Sequence, residues 1–402
     1  MALEYKPGFR GLRRRSLTRR GSFRYDAPMD AQAPRFANPG ALGARKYVPG
    51  KSVKEAMNEL GLQKVIKMAS NENPFGSSGK ARARLAELAD QLHVYPDAMN
   101  EELRGRLSAK LDVPVPMLTI GNGADGVIYN LGMAVLDQGD ETLIPRISYP
   151  IYESIIRVMR ATIIPTAMKG LRIDLEDLAR RVTPRTKAIF LCNPNNPTGD
   201  ALPRDRLLDF LRNLPPTVLV VLDEAYIDFA DPEVRPGAVA LAKRGMKNLF
   251  VLRTFSKLYG LAGLRVGFGV GDPEVIELIH RIKPPFGVSA IAERLALAAL
   301  EDTEFAWKTL EDCAREKRYF SAELGRLGLD YVPSHTNFVL VDTRRDCLEV
   351  FQRLLRRGLI VRPARQYGLS TSVRITIGQH HENVRLFQEL PAVLGELPLL
   401  RA

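Results

Sequence analysis

Cysteine, histidine in any regular spacing, and long apolar runs are what this chain has least of. Its three cysteines, Cys192, Cys313 and Cys347, are too scattered for a metal-binding spacing and cannot all pair with one another, which points to a reducing compartment and a cytoplasmic protein. The five histidines, His93, His280, His335, His380 and His381, share no spacing, so no metal centre is expected. No apolar stretch approaches the roughly 20 residues that cross a bilayer, and the N-terminal region lacks the apolar segment of a signal peptide. A soluble protein without a membrane partner is expected.

Charge of one sign is plentiful, and its distribution decides what it means. The net charge over 402 residues is +12. Residues 1–36 hold nine Lys or Arg against Glu4, Asp26 and Asp30, so half of the excess sits in a short segment. The rest is spread over a long body without the aromatic and basic alternation that binds single strands, and no nucleic-acid partner is expected. Poor in apolar periodicity, residues 1–36 are expected to be a disordered extension without catalytic consequence.

Beyond residue 36 the pattern alternates strand and helix, as a mostly parallel sheet covered by helices requires. Short apolar runs at Met117 to Ile120, Thr142 to Ile144, Ala161 to Pro165, Ala188 to Cys192, Val218 to Leu222 and Leu249 to Leu252 predict strands. Helices are predicted at Ala81 to Leu92, Glu101 to Leu111, Val127 to Leu136 and Tyr152 to Arg160. After Pro284 and Pro285 one long helix is expected over Ser289 to Leu324, followed by a different alternation that suggests a small α+β domain. The expected fold class is α/β, a three-layer α/β/α arrangement around a mostly parallel sheet. Its expected divisions are an N-terminal segment at 37–75 that joins the small domain, a large domain at 76–288 and the small domain at 289–402.

Polar residues follow several of these strands directly. Asn193-Pro-Asn-Asn-Pro-Thr-Gly199 follows one, Asp223-Glu-Ala-Tyr226 the next, and Arg253-Thr-Phe-Ser-Lys257 the third. In open α/β sheets ligands bind at the carboxyl ends of strands. Lys257 there can act as a nucleophile, since partial burial favours its neutral amine. Asp223 can pair with a protonated ring nitrogen, and Tyr226 and Asn196 can hydrogen-bond a ring oxygen. Thr254, Ser256 and Arg265, with the backbone of Ala124 and Asp125 in the turn Gly121-Asn-Gly-Ala-Asp-Gly126, can hold a phosphate. Tyr149 can stack on a ring face. A planar pyridine aldehyde phosphate satisfies all of these groups.

The segments ASNENPFG, VYPDA, GNGAD, SYPIY, CNPNNPTG, LDEAY, TFSKLYGLAGLRVG and VRITIG, in that order, resemble the class I and II aminotransferases of pyridoxal-phosphate fold type I, and more narrowly the histidinol-phosphate aminotransferases. The resemblance spans residue 40 or so to the C-terminus. It implies a transaminase of histidine biosynthesis that uses pyridoxal 5'-phosphate, with Lys257 forming the imine, and Asp223, Tyr226 and Asn196 on the ring. Thr254, Arg265 and the Ala124-Asp125 backbone would hold the phosphate, and Tyr95 would reach the cofactor of a partner subunit, so a homodimer is implied. Arg374 would clamp the anionic end of the substrate, histidinol phosphate or glutamate, with Tyr47, Asn71 and Arg362 as further substrate candidates. Where relatives commonly carry Glu and Asn, this chain has Gly126 and Gly287. An aromatic amino acid aminotransferase is the alternative, and a decarboxylase of the same fold a more distant one.

Overall fold

A computed structural model describes residues 36–44, 46 and 49–400; the extension expected over 1–36 lies outside it save for Phe36. Seven strands make the large sheet: β1 (Leu118–Asn122), β2 (Glu141–Pro145), β3 (Thr162–Thr166), β4 (Thr186–Cys192), β5 (Leu219–Asp223), β6 (Leu249–Thr254) and β7 (Val266–Val270). Their spatial order is β1-β7-β6-β5-β4-β2-β3. Only β7 runs against its neighbours.

The central strands are nearly continuous in apolar residues because both of their faces are buried. Ile189, Leu191, Val220, Leu222, Leu249 and Val251 belong to one apolar cluster, while the alternate residues Phe190, Cys192, Leu219, Val221, Phe250 and Leu252 belong to another. Each large side chain fully buried in this way contributes about 1.5–3 kcal/mol. Helices α1 (Gly123–Val135) and α2 (Pro150–Val158) cover the second face with Val127, Ile128, Leu131, Tyr152, Ile155 and Ile156. The same period of two sets Asp223 on that face, below α2.

Helix α1 starts four residues earlier than its apolar pattern predicts. Its first turn is Gly-Ala-Asp-Gly, which hides the periodicity. Gly123 takes φ +71° where β1 gives way to the helix, and a Cβ at Gly267 of β7 would lie 2.5 Å from the Ala124 nitrogen. Glycine at both positions lets the start of the helix press against the sheet.

The second sheet has β8 (Asp330–Tyr331), β9 (Phe338–Asp342), β10 (Arg362–Pro363) and β11 (Ser372–Thr376) in the order β8-β9-β11-β10, antiparallel throughout. The helix expected over Ser289 to Leu324 is two helices, α3 (Ala290–Glu301) and α4 (Thr303–Arg326). Asp302 breaks it: its backbone is non-helical, and its carboxylate accepts Phe305 N–H at 3.3 Å and the Ser78 hydroxyl at 2.6 Å. Packing follows the break, since Ala292, Leu295 and Ala299 of α3 lie in a cluster of the large sheet and Cys313, Phe320 and Leu324 of α4 lie in the cluster around β9 and β11. Ile66–Lys67 pairs in parallel with Leu359–Ile360, and Thr376 N–H donates to the Met68 carbonyl, so the stretch after residue 67 runs along β11.

Among the described residues no helix is long and apolar enough to cross a membrane, and no group of three or more His, Cys, Asp or Glu could hold a metal ion.

Candidate active site

A cavity of about 270 Å³ opens where the carboxyl ends of β4, β5 and β6 meet the start of α1 and the edge of the second sheet. Lys257, Asp223, Tyr226, Asn196, Ala124, Asp125, Tyr149, Thr254, Ser256, Arg265, Asn71, Arg362 and Arg374 all line it. Two more site residues are expected, one of them, Tyr95, at the cavity of a partner subunit. Tyr47 lies outside the described residues. Tyr95 is 80% exposed and stacks on Phe286 at 4.8 Å in a neighbouring hollow that also includes Gly287 and Arg265.

Lys257 follows β6 and points its amine at the Asn71 carbonyl, 3.0 Å away. Burial, with help from the Arg374 cation, pulls its pKa from 10.5 down to about 8. Asp223 ends β5 in full burial, which pushes its carboxyl up to about 6. Two donors oppose that shift: the Tyr152 hydroxyl at 2.6 Å from Oδ2 and Ala225 N–H at 2.9 Å from Oδ1. Glu224, next in the chain, pairs instead with Arg253 at 2.7 Å, so neighbouring acids serve different partners.

Tyr226 is buried, and burial raises its hydroxyl pKa. Its oxygen accepts Asn71 Nδ2 at 3.0 Å, which leaves the phenolic hydrogen free to donate into the cavity. Asn196 is oriented in a similar way. Its Oδ1 accepts Arg374 Nη1 at 2.6 Å, so its Nδ2 remains a donor.

At the α1 end, Asn122 makes no side-chain cap, and the first-turn N–H groups have no capping partner from it. Ser256 N–H donates to Thr254 Oγ1 at 3.0 Å, Arg265 Nη1 approaches Ser256 Oγ at 3.4 Å, and Arg265 Nη2 lies 3.3 Å from Asp125. A helix N-terminus, two hydroxyls and a guanidinium suit a phosphate. Tyr149, at the start of α2, donates to Asp125 Oδ1 at 3.0 Å.

The opposite end is set by the second sheet. Arg362 of β10 and Arg374 of β11 are directly opposed in register. Arg374 is buried, donates from Nη2 to the Ala69 carbonyl at 2.7 Å, and has no partner at Nε among the described residues. Arg362 donates to Gln366 Oε1 at 3.3 Å.

Motif reading misses three contributors. Tyr152 shares SYPIY with Tyr149 and follows it by three residues, a spacing that puts both on one helical face. Asn337 Nδ2 donates to the Asn71 carbonyl at 3.1 Å from a position that carries no signal in a single sequence, and Asn195, inside the Asn193-to-Gly199 motif but not singled out beside Asn196, donates from Nδ2 to the Ile147 carbonyl at 3.0 Å.

Comparison with known proteins gives a consistent result. A family model described as aminotransferase class I and II matches residues 63–390. The chain is 42% identical over 354 residues to a histidinol-phosphate aminotransferase of Moorella thermoacetica, covering 88% of this chain and 92% of the relative. It is 40% identical over 352 residues to histidinol-phosphate aminotransferase 2 of Carboxydothermus hydrogenoformans, covering 87% and 97%. Among solved structures, histidinol-phosphate aminotransferase from Sinorhizobium meliloti in complex with pyridoxal-5'-phosphate superposes with a TM-score of 0.83 at 28% identity, covering 92% of this chain and 99% of that one. A double mutant of Thermus thermophilus aspartate aminotransferase has a TM-score of 0.76 at 25% identity, covering 88% and 98%.

Proposed function

This chain belongs to the class I and II aminotransferases, and from that premise we propose that its cavity holds pyridoxal 5'-phosphate and exchanges an amino group between histidinol phosphate and 2-oxoglutarate. The observation that carries the substrate is the pair Arg362 and Arg374. Like charges directly opposite on neighbouring strands repel, and Arg374 keeps a buried N–H without a partner. An anion between them relieves both penalties, and a phosphate ester carries more charge and more acceptor oxygens than a carboxylate. Glutamate, the second amino donor, would bring a carboxylate to the same arginines.

The donor set fits the cofactor. Bound there, pyridoxal phosphate supplies a carbonyl for amine exchange and a ring that withdraws electrons from the carbon losing its proton. Asp223 would hold the ring nitrogen, Tyr226 and the Nδ2 of Asn196 the ring oxygen, and Tyr149 the ring face. The start of α1, Thr254, Ser256 and Arg265 would bind the phosphate. Lys257, with a pKa near 8, has an accessible neutral amine and would move the proton at the substrate's amine-bearing carbon. Arg374 touches Asn196, so the group that would bind substrate also orients one that would bind the cofactor.

A larger cofactor-binding unit, extended by α3, and a smaller unit built on β9 and β11 would form the two walls of the cavity, in a cytoplasmic enzyme. A homodimer is the working assembly in this reading. Leu85, Leu92, Val94, Tyr95 and Phe286 are all exposed, and the hollow that Tyr95 lines shares Arg265 with the cavity. Mixing inactive Lys257→Ala with a Tyr95→Ala variant should restore activity through hybrid dimers that keep one intact site; no recovery would remove Tyr95 from the partner's site.

Single-turnover rates with histidinol phosphate, histidinol, phenylalanine and tyrosine test the substrate. Histidinol phosphate should react fastest and histidinol should lose most of that rate. Faster reaction of the aromatic amino acids would make the enzyme an aromatic aminotransferase instead.

A further inference from the structure

Tyr152 lies fully buried on α2, one turn beyond Tyr149, with its ring stacked on Phe190 at 5.2 Å and edge-on to Tyr149 at 5.7 Å. Packing alone does not need its hydroxyl, which sits 2.6 Å from Asp223 Oδ2. Among the described residues the remaining carboxylate oxygen accepts only a backbone N–H, from Ala225. Among the described residues no cation forms a salt bridge with Asp223, and Lys257, which lines the same cavity, turns its amine to the Asn71 carbonyl. From α1 comes Asp125, from the end of β4 the Cys192 thiol, and from the chain just after β5 Tyr226 and Glu224, the last already paired with Arg253. Both nearby carboxylates oppose ionisation of Asp223.

We propose that Tyr152 is a positioning residue that keeps Asp223 ionised and aimed at the ring nitrogen of the bound cofactor. The proposal rests on the reading of the cavity as a pyridoxal-phosphate site. A hydroxyl donates more strongly to a carboxylate than to a neutral carboxyl, so the bond at Oδ2 favours the charged form. Two hydrogen bonds from fixed donors, one on a helix and one on the backbone, also hold the carboxylate plane against rotation. Burial works in the other direction and brings Asp223 up to about 6. Tyr152 thereby sets how far into the acid range the carboxylate can retain a cationic ring.

The test measures cofactor retention and not turnover. Holoenzymes of the wild type, Tyr152→Phe, Asp223→Asn and the double variant are equilibrated between pH 5 and 8, and bound cofactor is read from its visible absorbance after filtration. In the wild type, affinity should fall below an acid midpoint. Tyr152→Phe, which preserves both ring contacts, should raise that midpoint by about one pH unit. Asp223→Asn should bind weakly without an acid limb, and adding Tyr152→Phe to it should change nothing. Should Tyr152→Phe not fold, 3-fluorotyrosine at position 152 provides a stronger donor and should lower the midpoint. A Tyr152→Phe profile that coincides with the wild type, or is weakened equally at every pH, would overturn the assignment. A wild-type protein that takes up no cofactor would instead overturn the cofactor reading itself.

Discussion

The two ends of the cavity are built on different physical plans. At the α1 end each charge has a partner inside the protein: Arg265 lies against Asp125, Asp125 also accepts Tyr149, and Asp223 is held by Tyr152 and Ala225. At the other end Arg374 faces Arg362 across the strand pair and leans on neutral acceptors, Asn196 and the Ala69 carbonyl. The first end is arranged before any ligand arrives. The second brings two guanidinium groups together and keeps a buried Arg374 N–H without a partner among the described residues, which suits a group that must enter, be recognised as an anion, and leave in each half of a two-step exchange.

Removing the lysine between the two ends should have the largest effect. Lys257→Ala is expected to lower transamination by about 10⁴-fold or more, since it removes both nucleophile and base. The measurement is turnover with histidinol phosphate and 2-oxoglutarate, and a variant of near-normal rate would end the assignment. Arg374→Gln comes next. It removes a buried, charge-assisted donor, and kcat/KM should fall by about 10²-fold for both amino donors, corresponding to roughly 3 kcal/mol. Loss confined to one donor would show that the two substrates do not share this anchor.

Arg362→Gln separates the ends more finely. Being half-buried beside Gln366, it should reduce kcat/KM for histidinol phosphate by about 10-fold and for glutamate by less, because a phosphate can engage a second guanidinium. Equal losses would argue against a two-arginine phosphate site.

The smallest effect is a shift along the pH axis. Reaction of the cofactor-free protein with pyridoxal phosphate should accelerate as pH rises and level off above about 8, where the Lys257 amine becomes neutral. The sign for stability follows from the same shift. Between about 8 and 10.5 the unfolded chain carries a proton on this lysine that the folded chain lacks, so this group makes folding more favourable as pH rises through that window. In Arg374→Gln a nearby cation is gone, and the midpoint of cofactor uptake should move upward. A midpoint that stays in place would mean that the two ends are electrostatically independent.

Much of the α1 end was legible in the chain because its residues follow buried strands directly. Asp223 comes at the end of Leu-Val-Val-Leu, and Lys257 a few residues after Leu249 to Leu252, so hydrophobic runs announce where polar groups emerge. Strand positions were close to those found, whereas the start of α1 was obscured by glycines and the break at Asp302 by apolar periodicity on both sides. Tyr152 looked like one more apolar residue of a helix. Its partner is 71 positions away, and no local pattern connects them.

The order of apolar runs and turns along the sequence determined by itself that a mostly parallel sheet would form and that lysine, aspartate, tyrosine and asparagine would stand at its strand ends. Period-two burial and short connections leave few other arrangements. Only the tertiary structure decided the pairing of Arg362 with Arg374, the contact of Tyr152 with Asp223, and the approach of Asn71 to both Lys257 and Tyr226. Those contacts depend on strand register and on packing between segments far apart in the chain, and both are set by the balance of many distant contacts at once.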